Sequence, residues 1–380
     1  MGLLASLVYM MGVAEAVPRL GPGSYPDAPF PAPLVSVIVP ARNEEARIGD
    51  LLRSLLGQAY PALEIIVVDD RSTDRTAEVV REISGNDDRV RLINGEGLAK
   101  GWLGKPHAIW QGTRYARGTY LCFIDADGRL HPQCIRQAVA CSEAYGADLL
   151  TIGMRLECPS FWERAIQPLI VQMILMWFPA DKVNDPHSEA ASANGPFLLF
   201  RRQAYDAIGG HASIRNEIVD DLVLAQKIKK TGHRLVWALA PELMEIRMYQ
   251  GFKDIWEGWS KNFYKSMGER LWLALVAAVG IAWFFVLPWA LALLSLGWLI
   301  MRGWDTLLFS LLAICLATLM VAKIIRRWMS MVYKIPDRGL VFQPLGALVV
   351  IGILFNSTVR TRLGKGVRWK GRVYPGGTSS

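Results

Sequence analysis

From Trp272 to Ile300 the chain carries no charged side chain. At 1.5 Å per residue this run spans roughly 43 Å, more than a ~30 Å hydrocarbon core, so it must tilt or run partly along the interface. A second uncharged run, "TLLFSLLAICLATLMVA", covers 306–322. Together they predict two membrane spans within a membrane region at 266–358. A third apolar stretch, 339–356, is interrupted by Pro344 and is expected to dip in and return, or to lie in the interface. Between the second and third stretches a loop is expected to carry Lys323, Arg326, Arg327, Lys334 and Arg338 against Asp337. A basic tail, 359–380, holds Arg360, Arg362, Lys365, Arg368, Lys370 and Arg372, with Trp369 and Tyr374 among them. The positive-inside rule puts that loop and the tail on the cytoplasmic side of an inner membrane.

The first half is organised differently. Residues 1–17 are apolar but short, contain Glu15 and lack a basic n-region; they read as an interfacial helix or the remnant of an anchor, not a signal peptide. Six prolines between Pro18 and Pro33 define a linker at 18–33, too dense in proline for a helix or a central strand. A domain at 34–265 follows. "LVSVIVP", "LEIIVVDD", "RVRLIN" and "TYLCFIDAD" have the composition of buried strands. "EEARIGDLLRSLLGQ", "DRTAEVVREIS" and the segment begun by "GKPHAIWQGTRYA" lie between them as helices. Strands alternating with helices specify an α/β domain with a mostly parallel sheet covered on both faces. Farther on, "SFWERAIQPLIVQMILMWF" reads as a helix of either the core or the membrane surface.

In such sheets ligands gather beyond the carboxyl ends of strands. Here those ends carry Asp69, Asp70, Asp125 and Asp127. If the last strand ran on through Asp127, alternation would turn Asp125 and Asp127 to one face, with Gly128 turning the chain away. Two converging carboxylates require a cation or a proton between them. The bland alternative is a solvated Asp-Gly turn. The net charge of +8 suits an anionic membrane surface or a phosphorylated substrate. It would also suit nucleic acid, but no basic helix or zinc-knuckle spacing supports that partner. Five cysteines without C-x-x-C spacing point to reduced thiols rather than a disulfide framework or a zinc site.

Four stretches in order, "VSVIVPARNEE", "IIVVDDRSTDRT", "CFIDAD" and "NEIVDDLVLAQKIKKTG", resemble the family 2 glycosyltransferases of the GT-A fold over about residues 35–265. "GWLGKPHAIWQG", "ANGPFLLFRRQAYDAIGGH" and "VRWKGRVY" resemble the hopene-associated subgroup. The resemblance implies a nucleotide-side loop of Pro40, Ala41, Arg42, Asn43 and Glu44, with Asp70 on a pyrimidine base; Asp70 and Asp74 are alternatively helix caps. Asp125-Ala-Asp127 matches the D-x-D motif. It implies a divalent cation, Mg²⁺ or Mn²⁺, on Asp127 with Asp125 nearby, bridging the diphosphate of a nucleoside-diphosphate sugar. Lys105 would add charge toward the same phosphates, or is a solvated lysine.

Asp220 and Asp221 match the family's acidic pair, usually Glu-Asp, and Asp221 takes the place of the general base; either can equally cap the helix that follows. Asn194, Gly195, Trp259 and Lys261 fall on the acceptor side, although Trp259 also suits an interface anchor. "EGWSKNFY" stands where processive relatives carry Q-x-x-R-W, which implies a single transfer. A hopanoid or other lipid acceptor is what the resemblance and the membrane segments imply. His107, His187, His211 and His233 suggest no metal set and read as incidental. A dinucleotide oxidoreductase would need G-x-G-x-x-G after the first strand, which "PARNEEARIG" does not supply. A transporter would place ionisable groups inside its spans. The competing reading is a catalytically silent lipid- or partner-binding protein that retains the fold.

Overall fold

A computed structural model describes residues 9, 11–13, 15–26, 31–335, 339–364, 366–369 and 372–374. Most of the 1–17 segment, Pro29, Asp337, Arg338, Lys365 and Lys370 lie outside the described residues. The chain divides into two compact units: Glu15–Leu156 with Phe178–Met248, and Glu157–Trp177 with Tyr249–Ser380 and the N-terminal residues.

In the first unit the strands are β1 (Val35–Ala41), β2 (Leu63–Asp69), β3 (Val90–Asn94), β4 (Tyr120–Ile124), β5 (Gly128–Leu130), β6 (Leu149–Gly153), β7 (Arg155–Leu156), β8 (Phe197–Arg201), β9 (Leu235–Leu239) and β10 (Met244–Ile246). Seven form one sheet in the order β3-β2-β1-β4-β8-β6-β9. All its pairings are parallel except those of β8 with β4 and β6. Every residue of β2, β4, β6 and β9 is buried, as expected for strands covered on both faces. The chain builds outward from β1 through β2 to β3, then returns to place β4 on the other side of β1. That reversal opens a crevice at the carboxyl ends of β1 and β4, where open α/β sheets bind ligands. The architecture is that of the GT-A fold expected from the sequence.

Three expectations for this unit are corrected. The 18–33 segment is not all free linker: Leu20 N–H donates to Leu239 O and Leu239 N–H donates to Pro18 O, 2.8 Å each, so it lines the edge strand β9, where prolines cost no inward hydrogen bond. The fourth strand stops at Ile124 and Asp125–Asp127 is a turn, so strand alternation does not orient the two acids. Gly128 opens β5 rather than leading away; β5 pairs with β10 in a small second sheet, order β5-β10-β7.

The second unit is helical: Phe161–Trp177, Gly251–Ser266, Leu271–Ile281 continuing through a π segment into Leu287–Arg302, Thr306–Tyr333 and Gln343–Arg362. A single 34–265 domain is therefore not the compact unit. The helix Phe161–Trp177 buries Ala165, Ile166, Leu169 and Ile170 and packs with the helices Gly251–Ser266 and Gln343–Arg362. At Gly346 a Cβ would lie 2.2 Å from the Ala165 carbonyl oxygen, so that crossing requires glycine.

Three helices are long and apolar enough to cross a membrane: Leu271–Arg302, Thr306–Tyr333 and Gln343–Arg362. All three are longer than expected. Lys323, Arg326 and Arg327 continue the second helix instead of forming a loop, and Arg326 Nη2 donates to the Arg164 carbonyl at 3.3 Å. Pro344 does not interrupt the third helix. It occupies the first turn, where an N–H would have no helical partner in any case. The helix Gln343–Arg362 is continuous, with no turn inside it.

Candidate active site

The loops after β1 and β2 are bound to each other. Arg42 Nη1 donates to the carbonyls of Asp70 and Arg71, at 2.6 and 3.2 Å. Asn43 is left-handed at φ 53°; its N–H donates to Ser72 Oγ and its Oδ1 accepts from Thr73 N–H. Glu44 N–H donates to Thr76 Oγ1, while Asp74 accepts from the N–H groups of Glu45 and Thr76. Asp74 thus ties the loop after β1 to the start of the helix Thr76–Ser84, whose N-cap is Arg75. Pro40 and Ala41 end β1 beside Val68 and Asp69, and the Asp70 N–H donates to Ala41 O at 2.7 Å. Asp70 is buried, 3.7 Å from Arg71 Nε. Arg42 and Asn43 thus build the wall on which Asp70 stands, with these side-chain groups directed to backbone.

Across the crevice the acids meet a lysine. Lys105, on the helix Gly104–Thr113, places Nζ 2.8 Å from Asp125 Oδ1 and 3.7 Å from Asp220 Oδ2. Burial opposes its charge, but Asp125 and Asp220 outweigh burial and hold its pKa above the usual lysine range. Within this acid cluster the ammonium is the balancing cation, so Lys105 is neither a merely solvated lysine nor directed only outward. Asp127 lies half-buried in the same turn as Asp125.

Asp220 and Asp221 open the helix Asp220–Lys230, where the helix dipole favours negative charge. Asp221 Oδ2 accepts the Gly195 N–H at 2.8 Å, and Oδ1 accepts the Leu222 N–H at 2.8 Å. Burial first, and then the neighbouring Asp220 carboxylate, push its pKa up to about 6; Lys105 and the two N–H groups hold it from rising further. A carboxylate with that pKa can take a proton near neutral pH.

The four acceptor-side candidates separate. Gly195 touches Asp221. Asn194 directs its Nδ2 to the Ile152 carbonyl at 2.7 Å, fixing the turn that presents Gly195. Trp259 is buried in the helical unit, its Nε1 donating to Gln167 Oε1 at 2.9 Å and its ring stacked on Phe263. It is thus neither an exposed membrane anchor nor a residue with a free indole N–H. Lys261 lies half-buried on the same helix, Gly251–Ser266.

One residue set aside as incidental belongs here. His211 is fully buried, with Nε2 4.0 Å from Asp220 Oδ2 and Nδ1 2.8 Å from the Tyr205 hydroxyl. The only sequence signal was "GGH", and glycine pairs are too common in turns to single it out.

Among the described residues no three His, Cys, Asp or Glu side chains gather around a cation-sized site. Asp125 and Asp127, two carboxylates in one turn, are donors of the type a divalent cation takes, with Asp125 Oδ1 now paired to Lys105.

Residues 36–209 match Glycosyl transferase family 2. The chain is 30% identical over 238 residues to the 4,4'-diaponeurosporenoate glycosyltransferase of Staphylococcus aureus, covering 62% of this chain and 62% of that protein's length. Its structure resembles a mannosyltransferase of Pyrobaculum calidifontis solved in complex with GDP-Man and Mn²⁺, with TM-score 0.51 and 18% identity over 94% of this chain and 96% of that one. The structural likeness carries the fold. The sequence likenesses are confined to part of the chain, residues 36–209 for the family and 238 residues for the relative.

Proposed function

We propose that the protein is a membrane-attached, inverting glycosyltransferase that moves one sugar from a nucleoside-diphosphate sugar, UDP-linked, to a lipid hydroxyl. The observation that carries this reading is the geometry around Asp221, whose Oδ2 accepts the Gly195 N–H at 2.8 Å beside the Lys105–Asp125 ion pair, in surroundings that push its pKa up to about 6. In the reaction the acceptor O–H gives its proton to Asp221 as its oxygen forms a bond to the anomeric carbon. The bond from that carbon to the diphosphate oxygen breaks, and its electron pair leaves with the diphosphate. Asp127 with Asp125 would hold a divalent cation, which neutralises charge on the leaving group. Asp70 and the Pro40–Glu44 loop would face the nucleoside, and Lys105 would orient Asp125 and Asp220.

Support for a lipid acceptor comes from the three apolar helices and from the Staphylococcus aureus relative, whose name is lipid-related; the sequence resemblance adds a hopanoid as a candidate. The catalytic unit faces the cytoplasm at the inner membrane, and the helix Gln343–Arg362, a larger share of which is buried than of the other two apolar helices, packs within its unit without crossing. The tail then stays on the side of the catalytic unit, its cations near anionic headgroups.

The test uses the full chain in detergent with UDP- and GDP-sugars, Mg²⁺ or Mn²⁺, hopanoid alcohols as hydroxyl acceptors, and 4,4'-diaponeurosporenoate as a carboxylate acceptor that needs no base. An inverted glycolipid product is expected. Retention of the donor's anomeric configuration refutes the single displacement, and lipid binding without transfer from any donor supports the silent-protein alternative. A reporter fused after Ser380 that is active only in the periplasm would make the third helix a true span.

A further inference from the structure

His211 lies beneath the acidic pair in a position that the reaction above does not use. Gly209 and Gly210 are both left-handed, at φ 77° and 48°, and a Cβ at Gly210 would lie 2.5 Å from the Tyr205 ring. The glycine pair therefore lets the chain fold His211 inward against Tyr205. The imidazole is locked by two rings, edge-on to Phe123 on β4 at 4.9 Å and tilted against Tyr205 at 5.7 Å. Tyr205 accepts the His211 backbone N–H at 3.0 Å, and its hydroxyl lies 2.8 Å from Nδ1. The opposite ring nitrogen, Nε2, is buried and finds no hydrogen-bond partner among the described residues. The nearest acid to it is Asp220 Oδ2, at 4.0 Å.

We propose, resting on the reading of Asp220 and Asp221 as the working acidic pair, that His211 is a positioning residue: a neutral imidazole whose Nδ1 accepts from Tyr205 and whose Nε2–H is aimed at Asp220. Asp220, so held, keeps Lys105 between itself and Asp125, and Asp221 is the carboxylate left to take the acceptor proton. Two observations choose this tautomer. A hydroxyl that already accepts a backbone N–H has its own proton to donate to Nδ1, and a carboxylate near Nε2 favours a proton on that nitrogen. The charged and titratable groups that act on the ring are Asp220 on one helix, Lys105 on a second and Tyr205 on a third. Burial, with Lys105 adding to it against Asp220, lowers the imidazole pKa to about 4, so the ring stays neutral at physiological pH. The 4.0 Å separation is about 1 Å beyond a hydrogen bond, a gap of the kind that closes when a substrate completes a site.

Two measurements test this on the full chain in detergent. In ¹⁵N NMR of the imidazoles, the signal that disappears in His211→Phe should show the Nε2-protonated tautomer between pH 5 and 8. An Nδ1-protonated or a cationic ring there overturns the proposal, whether or not any sugar is transferred. In kinetics, His211→Phe keeps ring packing but removes the donor. It should lower kcat by about ten-fold, the worth of one hydrogen bond to a charged group, with the donor KM within about two-fold. His211→Gln, which restores an N–H, should recover most of that loss. Native kcat in His211→Phe, or equal losses in both variants tracking a fall in Tm, would reduce the residue to packing and overturn the proposal. Absence of transfer by the native chain would instead refute the proposed function and leave the tautomer result standing.

Discussion

The two units distribute polarity in opposite ways. In the sheet-containing unit apolar side chains fill the strands and the acids collect at strand ends and a helix start, balanced by Lys105. In the helical unit several polar groups are turned inward. Trp259 Nε1 donates to Gln167, the Gly251 N–H to Glu163 at 2.9 Å, and Asn356 Nδ2 to Ser260 at 2.9 Å. Its outer face is apolar instead: Leu293, Leu294, Ile300, Met301 and Leu307 are each at least two-thirds exposed. A surface of that kind suits helices long and apolar enough to cross a membrane. The same physical rule, that a buried polar group needs a partner, thus yields a charged crevice in one unit and hydrogen-bonded helix contacts in the other.

Substitutions can separate the two. Asp127→Asn removes one charge and one ligand from the carboxylate pair, so metal-dependent binding of a nucleoside diphosphate should be lost; undiminished Mn²⁺-dependent affinity by calorimetry would contradict that role. Asp221→Asn should lower turnover by about 10²- to 10⁴-fold with donor affinity nearly intact. A matching fall in affinity would make Asp221 structural. In the native chain the rate should climb as pH rises through about 6 and level off above, because Asp221 must be deprotonated to act and its pKa is raised to that value. An acidic limb near pH 4 would move the base elsewhere.

The helical unit should respond in stability rather than chemistry. Gly346→Val sets a side chain against the Ala165 carbonyl and should destabilise by about 1–3 kcal/mol, lowering the Tm in detergent. Unchanged Tm would mean that the crossing is looser than the structure shows. Smallest of all, Trp259→Phe removes one buried hydrogen bond and should cost about 1 kcal/mol. If it instead abolished transfer while the Tm held, the indole would belong to an acceptor site after all.

The sheet unit was the more legible. β1 to β4 are short, apolar and bounded by polar turns, so period and composition located them, and the strand-end acids marked the crevice. The misreadings share a cause. Asp125 and Asp127 looked like strand residues because the apolar run leads directly into them, and the stop at Ile124 coincides with the end of β4's pairing to β8, whose partner residue is Phe197. Pro344 looked like a break because proline forbids a helix interior, while the true start of the helix at Gln343 lies next to it. The side-chain donors of Asn194 and Trp259 bond to Ile152 and Gln167, partners distant in sequence that no local pattern shows.

What the sequence determined by itself was whatever depends on neighbours along the chain: strand and helix periods, the uncharged runs, and acids at strand ends. Only the tertiary structure decided which charges meet. Lys105, Asp125, Gly195, His211 and Asp221 come from separate segments, and no local pattern joins them. Their proximity follows from the reversal of strand order at β1, which gathers chain ends from across the sheet into one crevice. Burial there supplies the low dielectric that raises the pKa of Asp221 and keeps His211 neutral.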